Sequence, residues 1–282
     1  MKISHEVPLC LLKTSKNFND YDYCLVHLLD KYPEYKEYYV NSLKEGRKVL
    51  LDNSLYELGE AFNSEDYAKH ILELKPTEYI IPDSTESAEK DMQLYKEFTE
   101  KYNDLPGIKI GVVQGENLDK LIECYKFMSE HADKIAIPFR GKWYESEYKK
   151  HYNMSDETFN SNPNYRLESW SFGRRLFVKT LIDNDIWNKD KPHHLLGCSF
   201  PSEFDYVYYR FTKNIESVDT SNPIMAAIDN IEYTRNGIDI KSTTKMCDIM
   251  ETKIFDKNSP EYDSFKMNLV YHNTTLFKTL FI

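Results

Sequence analysis

The feature that most constrains the fold is a regular alternation of short apolar runs with segments of helical periodicity. We interpret these runs as strands: Tyr23–Leu29, Lys48–Asp52, Glu78–Asp83, Ile108–Gln114, Lys134–Phe139, His194–Ser199 and Ile215–Asp219. The helix-like segments are 33–45, 65–74, 86–102, 117–131, 167–184, 202–210 and 221–230. Apolar strands separated by helices are typical of parallel βαβ units whose sheet is covered on both faces. Seven such units favour a closed (β/α)₈ TIM-type barrel over an open sheet.

The eighth strand of such a barrel is not evident from the pattern. We expect it within 231–256, where the alternation turns irregular, with Leu276–Ile282 packing as a last helix or strand. The sequence has no obvious linker, internal repeat or low-complexity tract. We therefore expect residues 1–282 to form a single domain, without a zinc subdomain.

Composition excludes several classes of protein. The chain has 282 residues, of which 41% are hydrophobic and 29% charged, as in ordinary globular proteins. No apolar run approaches the roughly 18 residues that a membrane helix needs. Because Glu6 and Pro8 interrupt the N-terminal stretch, we expect no secretion signal and a cytoplasmic protein. The 5 cysteines are scattered and include no C-x-x-C pair, which argues against disulfides and a structural zinc site.

The formal net charge of −10 argues against non-specific coating of nucleic acid, so any such contact must be local. We expect a long loop at about 139–166, on the same face as the ends of the strands. Its cations lie among Trp and Tyr residues, a mixture suited to phosphate contact and base stacking. The alternative is a surface excursion that packs its own aromatic side chains. The candidate nucleic-acid-binding residues are Arg140, Lys142, Lys149 and Lys150, and, on a following amphipathic helix, Arg174, Arg175 and Lys179.

Polar residues follow several of the predicted strands directly. Asp52, Asp83, Gln114 and Asp219 all fall at or next to strand ends. A single Asp there often caps the next helix, but four such residues at one end of a barrel favour a shared site. Two carboxylates across a pocket suit glycosyl transfer, one as nucleophile and one as proton carrier. The other polar groups suit the edge of a purine-like base.

The strand ends resemble motifs of the tRNA-guanine transglycosylases, which exchange guanine for a 7-deazaguanine on a (β/α)₈ barrel. The segment Gly111-Val-Val-Gln114-Gly115 is similar to the G-I-V-Q-G strand of that family. Leu-Leu-Asp52-Asn-Ser-Leu-Tyr56 stands where the family has T-D-S-G-G-F/Y. Further along the chain, the matching segments are Ile-Ile-Pro-Asp83, Leu-Leu-Gly197-Cys198 and Ser-Val-Asp219-Thr-Ser.

The resemblance implies a role for each matching residue. Asp219 would be the nucleophile that holds the nucleotide covalently, and Asp52 would carry the proton. The base would be bound by Asp83, Gln114, Gly115, Gly197, Cys198 and a stacking Tyr56. No metal or other cofactor would be required. His193 and His194 begin a strand at the end away from the predicted site, so we expect both to be structural.

The sequence departs from the family in two ways. Ser54 and Leu55 replace the two glycines of the S-G-G motif, and no C-x-C-x-x-C with a downstream His follows Asp219. With no appended RNA-binding domain expected either, we favour the branch found in phages and bacterial genomic islands, which inserts 7-deazaguanines (preQ0-like bases) into DNA. The expected partners are DNA and a free 7-deazaguanine, with accessory proteins and oligomeric state left open. The alternatives are the same exchange on tRNA, a barrel that binds purine or nucleic acid without turnover, and, more distantly, a glycosidase.

Overall fold

Eight parallel strands form one sheet in the computed structural model, which describes residues 1–200, 203–204, 209, 212–235, 238, 242 and 244–279. The strands are β1 (Lys2–His5), β2 (Asp22–Leu25), β3 (Val49–Asp52), β4 (Glu78–Ile80), β5 (Ile108–Val112), β6 (Lys134–Pro138), β7 (His193–Leu196) and β8 (Ile215–Thr220). Their spatial order is β1-β8-β7-β6-β5-β4-β3-β2. The two outer strands lie against each other, and the N–H of Asp20 donates to the carbonyl of Ile3 (2.8 Å). The sheet is therefore a nearly closed barrel of the (β/α)₈ type, as the alternation predicts.

Helices occupy most of the connections between strands. In the described residues they are α1 (Leu12–Ser15), α2 (Pro33–Lys44), α3 (Leu55–Leu58), α4 (Ser64–Leu74), α5 (Ala88–Lys101), α6 (Leu118–His131), α7 (Lys142–His151), α8 (Asp156–Ser161), α9 (Pro163–Asp183), α10 (Asn222–Ile228), α11 (Met246–Ile249) and α12 (Ser264–Thr279). Side chains of Asn63, Ser87 and Asn117 accept backbone N–H bonds in the first turns of α4, α5 and α6. Such caps satisfy N–H groups that the helix itself leaves unpaired.

The predicted position of the eighth strand was wrong. The strand is β1, at the N-terminus, which pairs in parallel with β8 from Lys2↔Ser217 to His5↔Thr220. Within 231–256 the described residues contain no strand, and Leu276–Thr279 belong to α12. Four residues that mix polar and apolar types carry too weak a pattern to be recognised in the sequence. The predicted helix 202–210 lies mostly outside the described residues, as do residues 280–282.

The segment 139–166 is helical rather than the long loop that we expected. It leaves the C-terminal end of β6 and forms α7, α8 and the first residues of α9. Trp143, Tyr144 and Tyr148 are buried, so the segment packs its own aromatics, as in the alternative interpretation. A Cβ on Gly173 of α9 would come 2.2 Å from the Cβ of Tyr144, so the close packing of α7 on α9 requires glycine there.

None of the helices in the described part of the chain combines the length and apolar character needed to cross a membrane.

Candidate active site

Asp219 lies near the C-terminal end of β8, and its carboxylate is held at one oxygen. Its Oδ1 accepts from Nε2 of His194 (2.9 Å) and from the backbone N–H of Gly197 (2.9 Å). Gly197 has φ +72°, in the left-handed region that glycine adopts without strain. In the described part of the chain, both hydrogen bonds to the carboxylate go to Oδ1. Among the described residues, Oδ2 accepts no hydrogen bond, so it is the oxygen that we assign to a substrate.

Asp52 ends β3 and is also buried. One of its oxygens accepts from the hydroxyl of Tyr23 (2.5 Å) and the other from the backbone N–H of Ser54 (2.5 Å). Burial raises the pKa of Asp52 well above its usual value, and the negative charge of Glu57 raises it further. A carboxyl group with a raised pKa binds and releases protons nearer neutral pH, as a general acid or base must.

Asp83 and Gln114, from the ends of two neighbouring strands, are in direct contact. Asp83 Oδ2 accepts from Nε2 of Gln114 (3.0 Å), and Oδ1 accepts from Nδ2 of Asn53 (2.8 Å). Asn53 also donates to the carbonyl of Ile81 (3.0 Å), which ties the strand ends together. Burial raises the pKa of Asp83. The sequence predicted both Asp83 and Gln114 but did not single out Asn53.

Two further carboxylates, Glu6 and Glu57, join this end of the barrel. Burial raises the pKa of Glu6 well above its usual value, and the charges of Glu57, Asp219 and Asp52 add to the effect. Burial, together with the charge of Asp219, raises the pKa of Glu57 to about 7. Glu6 follows β1 directly, so it would have been found at a strand end if β1 had been recognised. Glu57 lies on the short helix α3, for which the sequence has no distinctive signal.

His194 contradicts the expectation that it lies away from the site. It belongs to β7, points into the barrel and contacts Asp219. His193, its neighbour, points to the other side of the strand, where its ring stacks on Trp187 (3.9 Å between centroids) and contacts the hydroxyl of Tyr125. Successive residues of a strand face opposite sides, so adjacent histidines have different surroundings.

Three other predicted base-binding residues have different surroundings. Tyr56 is 74% exposed on α3. A Cβ on Gly115 would come 2.6 Å from the backbone nitrogen of Leu121, so packing against α6 requires this glycine. The Cys198 thiol is buried and contacts the carboxylate of Glu203 (3.5 Å) rather than the acidic cluster.

The prediction that Arg174 binds nucleic acid was wrong. Its side chain is completely buried, and its guanidinium bonds both oxygens of Glu203 (2.7 and 2.9 Å) and the carbonyl of Gly197 (2.8 Å). Adjacent helical residues point in directions about 100° apart, and it is Arg174 rather than Arg175 that faces the core. Arg175 is half-buried and bonds the carbonyl of Ser171.

The basic residues around α7 are more accessible. Arg140, Lys142 and Lys150 are exposed, with Lys150 3.9 Å from Glu147, whereas Lys149 is less exposed and more closely paired, with Asp156 (2.6 Å). Arg140 lies over the ring of Trp170 (5.9 Å). On α9, Lys179 is paired with Asp183. The cations that remain available to a phosphate backbone are therefore those around the start and end of α7.

A cavity of about 310 Å³ lies at the opposite, N-terminal mouth of the barrel. Its walls include Lys48, Glu78, Lys134, Lys213 and Ser217. Active sites of parallel barrels form at the C-terminal ends of the strands, so we assign the candidate site to the acidic cluster and not to this cavity. No three His, Cys, Asp or Glu side chains of the described residues are arranged to hold a metal ion.

Comparison with models of known protein families and with curated proteins gives no match to this chain.

Proposed function

We propose that this protein is a transglycosylase that exchanges guanine for a 7-deazaguanine base in DNA, through a covalent Asp219–nucleotide intermediate. The observation that carries the proposal is that two carboxyl groups at one end of the barrel differ in their hydrogen bonding and in their surroundings. Asp219 has one oxygen fixed and one open, and Asp52 has a raised pKa. That division suits one nucleophile and one proton carrier.

The proposed reaction has two balanced steps. Oδ2 of Asp219 attacks C1′ of the target nucleotide and the C1′–N9 bond breaks, while Asp52 supplies the proton that the departing guanine takes up. The incoming 7-deazaguanine then returns a proton to Asp52, and its nitrogen attacks C1′ and releases Asp219. Neither step needs an oxidant, a reductant or a net input of protons.

The pair of Asp83 and Gln114 supports recognition of a base rather than of a sugar alone. A carboxylate beside a primary amide offers hydrogen-bond acceptors and donors side by side, which suits the edge of guanine. A base can reach groups at a barrel mouth only if it is unpaired or flipped out of the helix. We therefore expect single-stranded DNA to be used in preference to duplex DNA.

DNA is favoured over tRNA because residues 220–282 do not contain the cysteine motif of the zinc subdomain found in the tRNA enzymes. These residues include a single cysteine, Cys247. The exposed cations Arg140, Lys142 and Lys150 are suited to a single strand that crosses α7. We also propose that the protein works in the cytoplasm, where free 7-deazaguanine bases and DNA would both be accessible.

The test is incorporation of labelled guanine into single-stranded DNA, duplex DNA or bulk tRNA by the wild-type protein and by Asp219→Asn. Asparagine keeps an oxygen that accepts from His194 and Gly197 but places an NH₂ group where Oδ2 stands. We expect label in single-stranded DNA with the wild type and essentially none with Asp219→Asn. A protein–DNA adduct that survives denaturation should be lost in the same variant.

Asp104→Asn is the matched control, because Asp104 is an exposed aspartate outside the site. It should exchange guanine at the wild-type rate. Label in tRNA alone would contradict the choice of DNA. Binding of guanine without label in any polymer would contradict catalysis and favour a binding barrel.

A further inference from the structure

A chain of buried polar side chains runs through the barrel from its N-terminal mouth to Asp219. Glu78 accepts from Lys134 Nζ (2.8 Å), and Lys134 Nζ also contacts Ser217 Oγ (3.0 Å). Ser217 Oγ lies 2.9 Å from His194 Nδ1, and His194 Nε2 lies 2.9 Å from Asp219 Oδ1. Barrel interiors are usually filled with apolar side chains, so a polar chain here is an exception that needs a physical reason.

The neighbours of each group determine which way its hydrogen bond runs. The carboxylate of Asp219 can only accept, so His194 must carry its proton on Nε2. Burial lowers the pKa of His194, which favours the neutral ring and leaves Nδ1 as an acceptor for the hydroxyl of Ser217. The oxygen of Ser217 then accepts from the ammonium group of Lys134, which has protons only to donate. From Lys134 onward, each group therefore donates a hydrogen bond to the next one on the path to Asp219: Lys134 to Ser217, Ser217 to His194, and His194 to Asp219.

This arrangement determines the geometry of Asp219. His194 and the Gly197 N–H both hold Oδ1, so the carboxylate is fixed in rotation and Oδ2 is directed away from them. His194 in turn is fixed at both nitrogens, because Ser217 Oγ holds Nδ1 and is itself held by Lys134. A nucleophile that is oriented before the substrate arrives loses less entropy in the reaction.

We propose that His194 is a positioning residue that acts on the substrate only through Asp219, and that Ser217 and Lys134 set its tautomer. This inference rests on the proposed function, because it takes Asp219 to be the nucleophile. It adds a residue that the motifs of the family do not include: the sequence placed His194 away from the site, and the matched motifs begin downstream of it at Leu195-Leu196-Gly197.

The first test needs no activity. In ¹⁵N-histidine-labelled protein, the signals of His194 are identified by their loss in His194→Gln. We expect Nε2 to be protonated and Nδ1 unprotonated at neutral pH. A ring protonated on Nδ1, or on both nitrogens, would overturn the proposed direction of the hydrogen bonds.

The second test is a series of substitutions in the base-exchange assay. His194→Leu removes the donor to Asp219 and should lower kcat roughly 10- to 100-fold, whereas KM for DNA should not change. His194→Gln should recover part of kcat, because its amide N–H stands near the position of Nε2. Ser217→Ala should lower kcat less than His194→Leu does, because only the support of the ring is lost.

Ser169→Ala is the control for Ser217→Ala. Ser169 is also buried, but its hydroxyl bonds a carbonyl of its own helix, α9 (2.7 Å), so kcat should stay at the wild-type value. Unchanged kcat in His194→Leu and Ser217→Ala would overturn the positioning role while leaving base exchange intact. Absence of exchange in the wild type would instead overturn the proposed function. The ¹⁵N measurement would still test the direction of the hydrogen bonds between Lys134 and Asp219. If His194→Leu fails to fold, kcat of Ser217→Ala and the ¹⁵N spectrum of the wild type decide whether His194 is a positioning residue.

Discussion

Two regions of this protein bury charge in opposite ways. Arg174 and Glu203 are both completely buried, and each charged group meets its opposite at 2.7–2.9 Å. At the C-terminal mouth of the barrel, Glu6, Asp52 and Glu57 are gathered around Asp219, and burial, together with the neighbouring negative charges, raises their pKa values. The first arrangement pairs opposite charges, whereas the second gathers groups of the same sign, for which ionisation is unfavourable. A fold retains unfavourable charge mainly where function requires it, which distinguishes the structural pair from the candidate site.

The largest effect is expected from removing one partner of the balanced pair. Arg174→Met leaves Glu203 buried without a cation, and we expect it to lower the free energy of unfolding by about 3–5 kcal/mol. The double variant Arg174→Met/Glu203→Leu should recover most of this loss. Urea unfolding at neutral pH measures both changes.

Arg166→Met, on the same helix, is the control for Arg174→Met. Arg166 is half-exposed and 3.8 Å from Glu145, so its loss should change stability by about 1 kcal/mol or less. A similarly small effect of Arg174→Met would contradict the view that the buried pair is structural.

A smaller effect is expected from relieving the repulsion at the mouth. The pKa of Glu57 is raised to about 7 in the folded protein from an ordinary value of 4.5. Between these two values the folded state binds more protons than the unfolded state, so stability falls as pH rises through this range. Glu57→Gln should remove this part of the pH dependence and stabilise the protein at pH 8 by up to about 3 kcal/mol.

The measurement is urea unfolding of the wild type and Glu57→Gln at several values between pH 5 and 8, which span the range in which Glu57 titrates. The two stability curves should converge at low pH and separate as the pH rises. Glu123→Gln on α6, where the carboxylate is exposed and paired with Lys120, is the control and should give no such separation. Curves that stay parallel for Glu57→Gln would show that Glu57 does not take part in the repulsion.

The smallest effect concerns the exposed cations, which contribute to neither buried region. If single-stranded DNA crosses α7, Lys142→Gln/Lys150→Gln should weaken binding roughly 3- to 10-fold and reduce the slope of log K against log salt by about 1.4. Folding stability should be unchanged. Lys44→Gln/Lys126→Gln, with exposed lysines on α2 and α6, should leave binding unaffected. Equal losses for both pairs would indicate that α7 is not the contact surface.

Most of the barrel could be predicted because strands and helices have periodic apolar patterns. The seven predicted strands all overlap observed strands, and polar residues after them meet at one end because parallel strands end on one side. β1 was missed because four mixed residues carry almost no periodicity, and Glu6 was missed with it. The helices α7 and α8 were missed because their aromatic and charged residues are typical of a loop as well as of a helix.

The sequence by itself determined the alternation of elements and the identity of the strand-end groups Asp52, Asp83, Gln114 and Asp219, since both depend on local pattern. Only the tertiary structure decided which side chains enter the barrel and what they meet there. Arg174 and Lys134 are charged residues in buried positions, and hydropathy alone assigns such residues to the surface. Their burial is stable because Glu203 and Glu78 arrive from elements distant in sequence, and a local pattern carries no information about such partners.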